Sequence, residues 1–392
     1  MKFGKKALKI ILYILVILSP VAGYYIYNSP TLIMMFNNKM NSEELQKYYT
    51  EVGETVTLTE VNDAIQKGVD HLFDIQKDGT WEKGHAGVSA LCLKAIIQSP
   101  GEKSKEREAI IAKGLDYLVS LQQKNGSFHI NFSISSAMNN YNTSLIILAL
   151  LAAPKDYSAE LKKAQDYLIG VQNGDIDGDV NSGGIGYGGE GAPDLSNLQV
   201  ALEALHESGV DSNNDVFKNA KKFILHCQDS EGNDQAWAGS SGGFIYKPTS
   251  LNKDGKPEPY GAMTFAGLKS LIFCSVSPED ESVKDALRWI GENYNISKHP
   301  GKGQVGLFYY YYTLSKALSI ANVDQLKLAN GENKDWRADL SKEILKRQNK
   351  KGGWRNPQKK YLEGIEALST AYAIASLNII SKDWSKTELK TK

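Results

Sequence analysis

Cysteine, histidine and proline are scarce in this chain of 392 residues, numbering three, six and eleven. Cys92, Cys227 and Cys274 form no Cys-x-x-Cys pair and their number is odd, which excludes a disulfide framework and the usual thiolate metal sites. Cys92 and Cys274 fall in apolar helical runs and read as small buried hydrophobes. The histidines (His71, His85, His129, His206, His226 and His299) are scattered without ligand spacing. Net charge is missing as well. Forty-five basic residues balance forty-five acidic ones, with no basic stripe, so nucleic acid is not expected as a partner. The chain has no Gly-x-Ser-x-Gly elbow, no phosphate-cradling loop and no Cys-Gly-Glu-Gln thioester. From Val61 onward, strand-like alternation never lasts long enough to compete with the 3.6-residue period. No Pro/Gly/Ser-rich linker interrupts that region, so one large all-helical domain is expected.

The exception at the N-terminal end is a membrane signal. Lys2, Lys5, Lys6 and Lys9 precede a charge-free run from Ile10 to Tyr27, about the length needed to span a bilayer. Tyr24, Tyr25 and Tyr27 lie at its far end, where aromatic rings favour the interface. The flanking lysines predict a cytoplasmic N-terminus and an extracytoplasmic body. Val21-Ala22-Gly23 offers small residues for cleavage of a signal peptide, but the apolar run continues past them. The expected organisation is an anchor at 1–30, a polar tether at 31–55, a helical domain at 56–381 and a polar tail at 382–392.

What is abundant is a repeat. Three copies read clearly: Gln76-Lys77-Asp78-Gly79-Thr80-Trp81, Gln122-Gln123-Lys124-Asn125-Gly126-Ser127-Phe128 and Gln348-Asn349-Lys350-Lys351-Gly352-Gly353-Trp354. Looser copies begin at Gln172 and Gln228 and reach Gly184-Ile185-Gly186-Tyr187 and Gly242-Gly243-Phe244-Ile245-Tyr246. The spacing from Gln76 through Gln122 and Gln172 to Gln228 leaves room for two helices and two loops per unit. Before each motif runs an amphipathic helix, as in Ile65, Val69, Leu72 and Phe73, or Ile111, Leu115, Leu118 and Leu121. Helices that are apolar nearly all round recur at 86–97, 141–152, 197–206, 262–274, 307–320 and 367–380, each after a copy of the motif except the fifth, whose pair lacks the Gln signature. A helix without a polar face must be covered on most sides. Six such pairs predict a closed double ring, with apolar helices inside and amphipathic ones outside.

These repeats, together with Gly242-Gly243-Phe244-Ile245-Tyr246-Lys247-Pro248, resemble the prenyltransferase/squalene-hopene cyclase α/α-toroid superfamily over about residues 60–380. The resemblance implies an (α/α)6 toroid and gives the repeat Gln and aromatic residues a structural role, so Gln76, Trp81, Gln122, Phe128, Gln348 and Trp354 are structural before they are catalytic. It also places any chemistry at the mouth where the inner helices begin. The cyclases protonate an alkene with the middle Asp of Asp-x-Asp-Asp-Thr. The most similar segment here is Asp194-Leu195-Ser196-Asn197-Leu198, in which only the first Asp matches and Ser196 stands at the donor position. The protein prenyltransferases bind zinc through Asp, Cys and His. Here Tyr260-Gly261-Ala262 occupies the first two positions and Ser369 or Thr370 the third, so no metal and no cofactor is expected. Asp175-Ile176-Asp177-Gly178-Asp179 reads as an exposed turn, or a weak Ca²⁺ site.

The resemblance implies an isoprenoid or other lipid held in a central cavity. Asp194 is the candidate catalytic residue, with Tyr187, Asn197, Phe244, Tyr246, Tyr260 and Trp354 as candidate cavity-lining residues. One or two of Tyr309-Tyr310-Tyr311-Tyr312 can face the same cavity. Aromatic faces suit a polyprenyl chain and can stabilise a carbocation, but the rings can equally pack between helices, and Asp194 can equally cap one. Three functions stay open. The first is a cyclase-like isomerase with an altered acid, the second a non-catalytic lipid- or peptide-binding toroid at the membrane. The third is a carbohydrate-processing (α/α)6 enzyme using Asp194 and Glu363 as its carboxylates.

Overall fold

The computed structural model describes residues 55–129, 138–188 and 192–390, with only the backbone of 387–390. The expected anchor and nearly all of the tether lie outside the described residues. Among those described, no helix is long and apolar enough to cross a membrane.

Among the described residues, twelve long helices form two rings. The outer ones are α1 (Leu58–Ile75), α3 (Lys105–Ser120), α5 (Ser158–Gly170), α7 (Asp215–His226), α9 (Glu281–Asn293) and α11 (Trp336–Lys346). The inner ones are α2 (Ala86–Gln98), α4 (Asn139–Ala152), α6 (Leu195–Glu207), α8 (Gly261–Phe273), α10 (Leu307–Ile320) and α12 (Glu366–Lys390). Each inner helix packs on the next, and α12 packs back on α2, so the inner ring closes. The first outer helix, α1, lies against the last inner one, α12. The expected boundaries of the inner helices hold to within one or two residues at their starts. The expected polar tail is different, because α12 continues through it to Lys390. Asp383 there pairs with Arg337 at 3.0 Å. A two-residue hairpin, Leu326–Lys327 with Asn333–Lys334, is the only strand pair among the described residues.

The repeat motif is the joint between units. Its glycine takes a positive φ and lies against the backbone of the next outer helix. A Cβ on Gly126 would stand 2.1 Å from the Lys163 carbonyl, and one on Gly242 would stand 2.3 Å from that of Asp285. One on Gly352 would stand 2.3 Å from the Lys67 carbonyl of α1, so the last joint closes the ring. The repeat glutamine straddles the same joint. The Gln122 Nε2 donates to Glu160 O at 2.8 Å, that of Gln172 to Val216 O at 2.8 Å, that of Gln228 to Ser282 O at 2.8 Å and that of Gln348 to Ala64 O at 2.8 Å. Gln76 instead accepts from Gly79 N–H within its own turn.

The repeat aromatic points inward and is fully buried. Its backbone N–H donates to a hydroxyl on the first turn of the inner helix that follows. The pairs are Trp81 with Ser89, Phe128 with Thr143, Phe244 with Thr264 and Trp354 with Thr370. The two indoles also donate to carbonyls near the ends of the preceding outer helices, those of Leu72 and Ile344. The small polar residues of the inner helices are therefore part of the repeat.

Candidate functional site

An inner helix begins with N–H groups that have no helical acceptor. Here the loop of the following unit supplies one. Asn140 N–H donates to Tyr187 O at 3.1 Å, Leu195 N–H to Tyr246 O at 2.8 Å and Gly261 N–H to Pro300 O at 3.0 Å. On α10, Tyr309 N–H donates to the Glu363 carboxylate at 2.8 Å. These links gather the starts of α4, α6, α8 and α10 at one end of the ring and place Tyr187 and Tyr246 in equivalent positions.

Asp194 caps α6. Its carboxylate accepts from Asn197 N–H and from the Asn197 side-chain amide, both at 2.8 Å, and Tyr246 donates a hydroxyl to it. Burial raises its pKa, against the pull of those donors. Asn140 completes the cluster by donating to Asn197 Oδ1 at 3.1 Å and to Gly186 O at 3.0 Å. Tyr187 and Tyr246 hydroxyls meet at 3.4 Å, and the Tyr187 ring stacks on Tyr141 at 6.4 Å. Tyr260, the residue preceding α8, lies within electrostatic reach of Asp194, Tyr141, Tyr187 and Tyr361. Of the candidate residues, Tyr187, Asp194, Asn197, Tyr246 and Tyr260 thus share one end of the ring.

Phe244 and Trp354 do not. Phe244 lies flat against Gly267 of α8, and Trp354 against Gly68 of α1. Both are fully buried between helices. They belong to the repeat joint, because the same residue cannot both fill that joint and face the ring axis. Glu363 is also committed. Fully buried, it accepts from the backbone of Leu307, Phe308 and Tyr309 and from Asn356 Nδ2 at 2.5 Å. Asp194 and Glu363 are thus both used as helix caps.

At the positions where the prenyltransferases carry ligands, other roles are filled. Ala262 N–H donates to His299 Nε2 at 2.8 Å, the His299 Nδ1–H donates to Val305 O at 2.8 Å, and Ser369 donates to Glu363 O. The Asp175–Asp179 turn, in the loop between α5 and α6, is held by its neighbours. Asp179 accepts from Asn181 N–H at 2.9 Å, and Asp175 pairs with Lys222. A shallow pocket of about 350 Å³ lies beside it, and no group of three or more metal-binding side chains occurs among the described residues.

Sequence reasoning missed the centre of the ring. Ser196, at the position of the cyclase acid, joins the hydroxyls of Tyr141 at 2.8 Å and Tyr309 at 3.0 Å. Gln199 Nε2 donates to the same Tyr309 hydroxyl at 3.1 Å. Helices α6 and α10 are not neighbours in the ring, so these contacts cross its axis. Tyr309 and Tyr372 rings meet edge to face at 5.9 Å.

Deeper in the ring lies a buried charge cluster. Glu203 pairs with Lys269 and lies 3.6 Å from Lys316, while Tyr312 donates to it at 3.0 Å. Lys316 also pairs with Glu207, and Lys94 lies 3.5 Å from the Tyr312 hydroxyl. Burial pushes the Glu203 pKa up, but Lys269, Lys316 and Lys94 together outweigh it and hold the carboxyl well below its ordinary value. The signal was present in the sequence: a single charged residue in each of α2 and α8, within otherwise apolar helices.

A closed ring of six helix pairs with its helix starts gathered at one end defines the α/α-toroid class. The chain belongs to the family described as the prenyltransferase alpha-alpha toroid domain, whose model matches residues 17–299 and 302–391. Among solved structures it is similar to a variant of the type II terpene cyclase MstE from Scytonema, in complex with geranylgeranyl dihydroxybenzoate. That match has 13% identity and a TM-score of 0.53, covering 83% of this chain and 98% of that one. It is also similar to Candida albicans protein geranylgeranyltransferase-I complexed with GGPP, with 17% identity and a TM-score of 0.51 over 86% and 93% of the two chains. A protein from Actinoplanes matches at 14% identity and a TM-score of 0.50, over 82% and 99%.

Proposed function

We propose that this protein is a toroid that binds an isoprenoid or related lipid at the tyrosine-lined end of its inner ring, without the acid chemistry of the cyclases. The observation that carries this reading is the gathering of Tyr141, Tyr187, Tyr246, Tyr260 and Tyr309 around Ser196, several of them part-exposed at the ends of the inner helices. Aromatic faces there offer a hydrocarbon chain contact area at little entropic cost. Two of the solved structures named above, the MstE variant and the Candida albicans geranylgeranyltransferase, carry geranylgeranyl compounds in a similar fold. Asp194 accepts from the Asn197 backbone and side chain and from Tyr246, which ties its carboxylate to the start of α6. Its role in this reading is to hold the start of α6.

The same proposal places residues 10–27 in a membrane as an uncleaved anchor, with the ring outside the cytoplasm. The four lysines and the charge-free run support that orientation. Mass spectrometry of lipids that co-purify with the full chain from membranes tests the binding reading. An isoprenoid is expected at near-stoichiometric amount in the wild type and in Asp194→Asn alike. No enriched isoprenoid in the wild type would overturn lipid binding, and its loss from a normally folded Asp194→Asn would restore a direct role for that carboxyl. A reporter fused after Lys392 that is active only in the cytoplasm would overturn the orientation.

A further inference from the structure

We infer that the ligand of this ring enters by a neutral hydroxyl-bearing end, as a prenyl alcohol or phenol would, and that Gln199 receives it. The inference rests on the isoprenoid reading above and names the chemical class of the end that leads.

Gln199 is 2% exposed and sits on the axis-facing side of α6, one residue triplet below Ser196. Its amide nitrogen is engaged with Tyr309, while its Oε1 is buried and has no hydrogen-bond partner among the described residues. A buried acceptor left without a donor is destabilising, so a ligand that supplies a donor gains correspondingly. The groups around it are neutral hydroxyls. Burial raises the pKa of Tyr141 and of Tyr309 far above neutrality, and Ser196 lies between them. A ligand hydroxyl both donates and accepts, so it satisfies Gln199 in either amide orientation and can also join the Tyr141–Ser196–Tyr309 chain. A diphosphate or carboxylate can only accept. Its charge would need cations at this depth, and none of these four side chains is cationic.

The cations lie deeper and are occupied. Glu203 follows Gln199 by one helical turn, about 6 Å further along the axis. It engages Lys269, Lys316 and Tyr312, with Lys94 resting on Tyr312. This cluster forms the floor beneath Gln199 and stops the ligand there. The hydrocarbon chain then has to run back toward the mouth, across Tyr246, Tyr260 and Tyr187.

The test compares three probes of one chain length on the full-length protein in detergent: geranylgeraniol, its methyl ether and geranylgeranyl diphosphate. Calorimetry is expected to give the alcohol at least a tenfold lower Kd than either other probe. In Gln199→Met, which keeps the shape and removes the polar atoms, the preference of alcohol over ether should shrink to within about threefold while the ether's Kd stays unchanged. Thermal melting of the variant checks that the ring is intact. If it is not, Tyr309→Phe serves the same purpose, because it removes the hydroxyl that orients Gln199. Equal Kd for alcohol and ether in the wild type, or tighter binding of the diphosphate, would overturn the hydroxyl inference and leave the isoprenoid reading standing. Failure of all three to bind would overturn both.

Discussion

Gly242 combines the two constraints that only glycine meets: φ of +85° and a neighbouring backbone carbonyl 2.3 Å from where a Cβ would lie. The left-handed conformation alone costs a non-glycine residue roughly 1–3 kcal/mol. The clash adds to it, because Asp285 O belongs to α9 and cannot move without shifting that helix. Gly255 has φ of +72° but open space around it. The expected outcome in urea unfolding is a loss of about 3 kcal/mol or more for Gly242→Ala and about 1 kcal/mol for Gly255→Ala. Equal losses would mean that the packing of loop against helix contributes nothing at this joint. The same reasoning makes the hydroxyls of Ser89, Thr143, Thr264 and Thr370 specific contacts of the repeat.

At the scale of the helix, the N-termini of the inner ring are capped by borrowed groups, and two of these titrate in opposite senses. Burial raises the Glu363 carboxyl to about 7, despite Asn356 and the backbone N–H groups of α10. Burial lowers the His299 imidazole to about 4, with Lys302 adding to the shift against the Val305 hydrogen bond. A raised carboxyl stabilises the fold below its unfolded value of about 4.3, and that stability is lost as pH rises toward 7. A depressed histidine stabilises it above about 6.5, and that stability is lost as pH falls toward 4. Each contribution is on the order of 3–4 kcal/mol, so they offset, and the wild type should melt at a nearly constant temperature between pH 4.5 and 7. Glu363→Gln should become less stable toward acid and His299→Asn less stable toward base. Parallel slopes in the two variants would contradict this balance.

For the molecule as a whole, the ring is closed by neighbour contacts and crossed at its axis by polar ones. Glu203 is the hub, taking in Lys269 and Lys316 and a hydroxyl from Tyr312. Removing one partner of a buried ion pair commonly costs 3–5 kcal/mol, whereas replacing a poorly compensated buried charge with an apolar group can be neutral or stabilising. Glu203→Gln is therefore expected to lower stability by about 3 kcal/mol or more. Lys94 is buried against a hydroxyl and a ring, and its pKa is lowered by that burial. Lys94→Met should change stability by less than about 1 kcal/mol or raise it. Equal damage from both substitutions, measured by denaturant unfolding, would show that the cluster is one indivisible network.

The sequence by itself determined the ring. Gln, Gly and an aromatic residue recur because each joint needs the same bridging amide, the same positive φ and the same buried ring. The contrast between amphipathic and all-apolar helices tells which lie outside and which inside, so the inner helices could be located almost to the residue. It also placed Tyr187, Asp194, Asn197, Tyr246 and Tyr260 near helix starts, since those positions follow from counting along the chain. Only the tertiary structure decided what the side chains there do. Glu363 looks like a free carboxylate until the start of α10, from a neighbouring unit, is brought to it, whereas the cap that Asp194 makes on its own helix was open to the sequence. Phe244 and Trp354 look like cavity residues until the next helix supplies a glycine for each to lie on. The contacts across the axis, Ser196 and Gln199 with Tyr309 and Glu203 with Lys316, join residues about a hundred positions apart on helices that are not neighbours even in the ring. No local pattern encodes such a meeting, because it depends on the diameter at which six helices close.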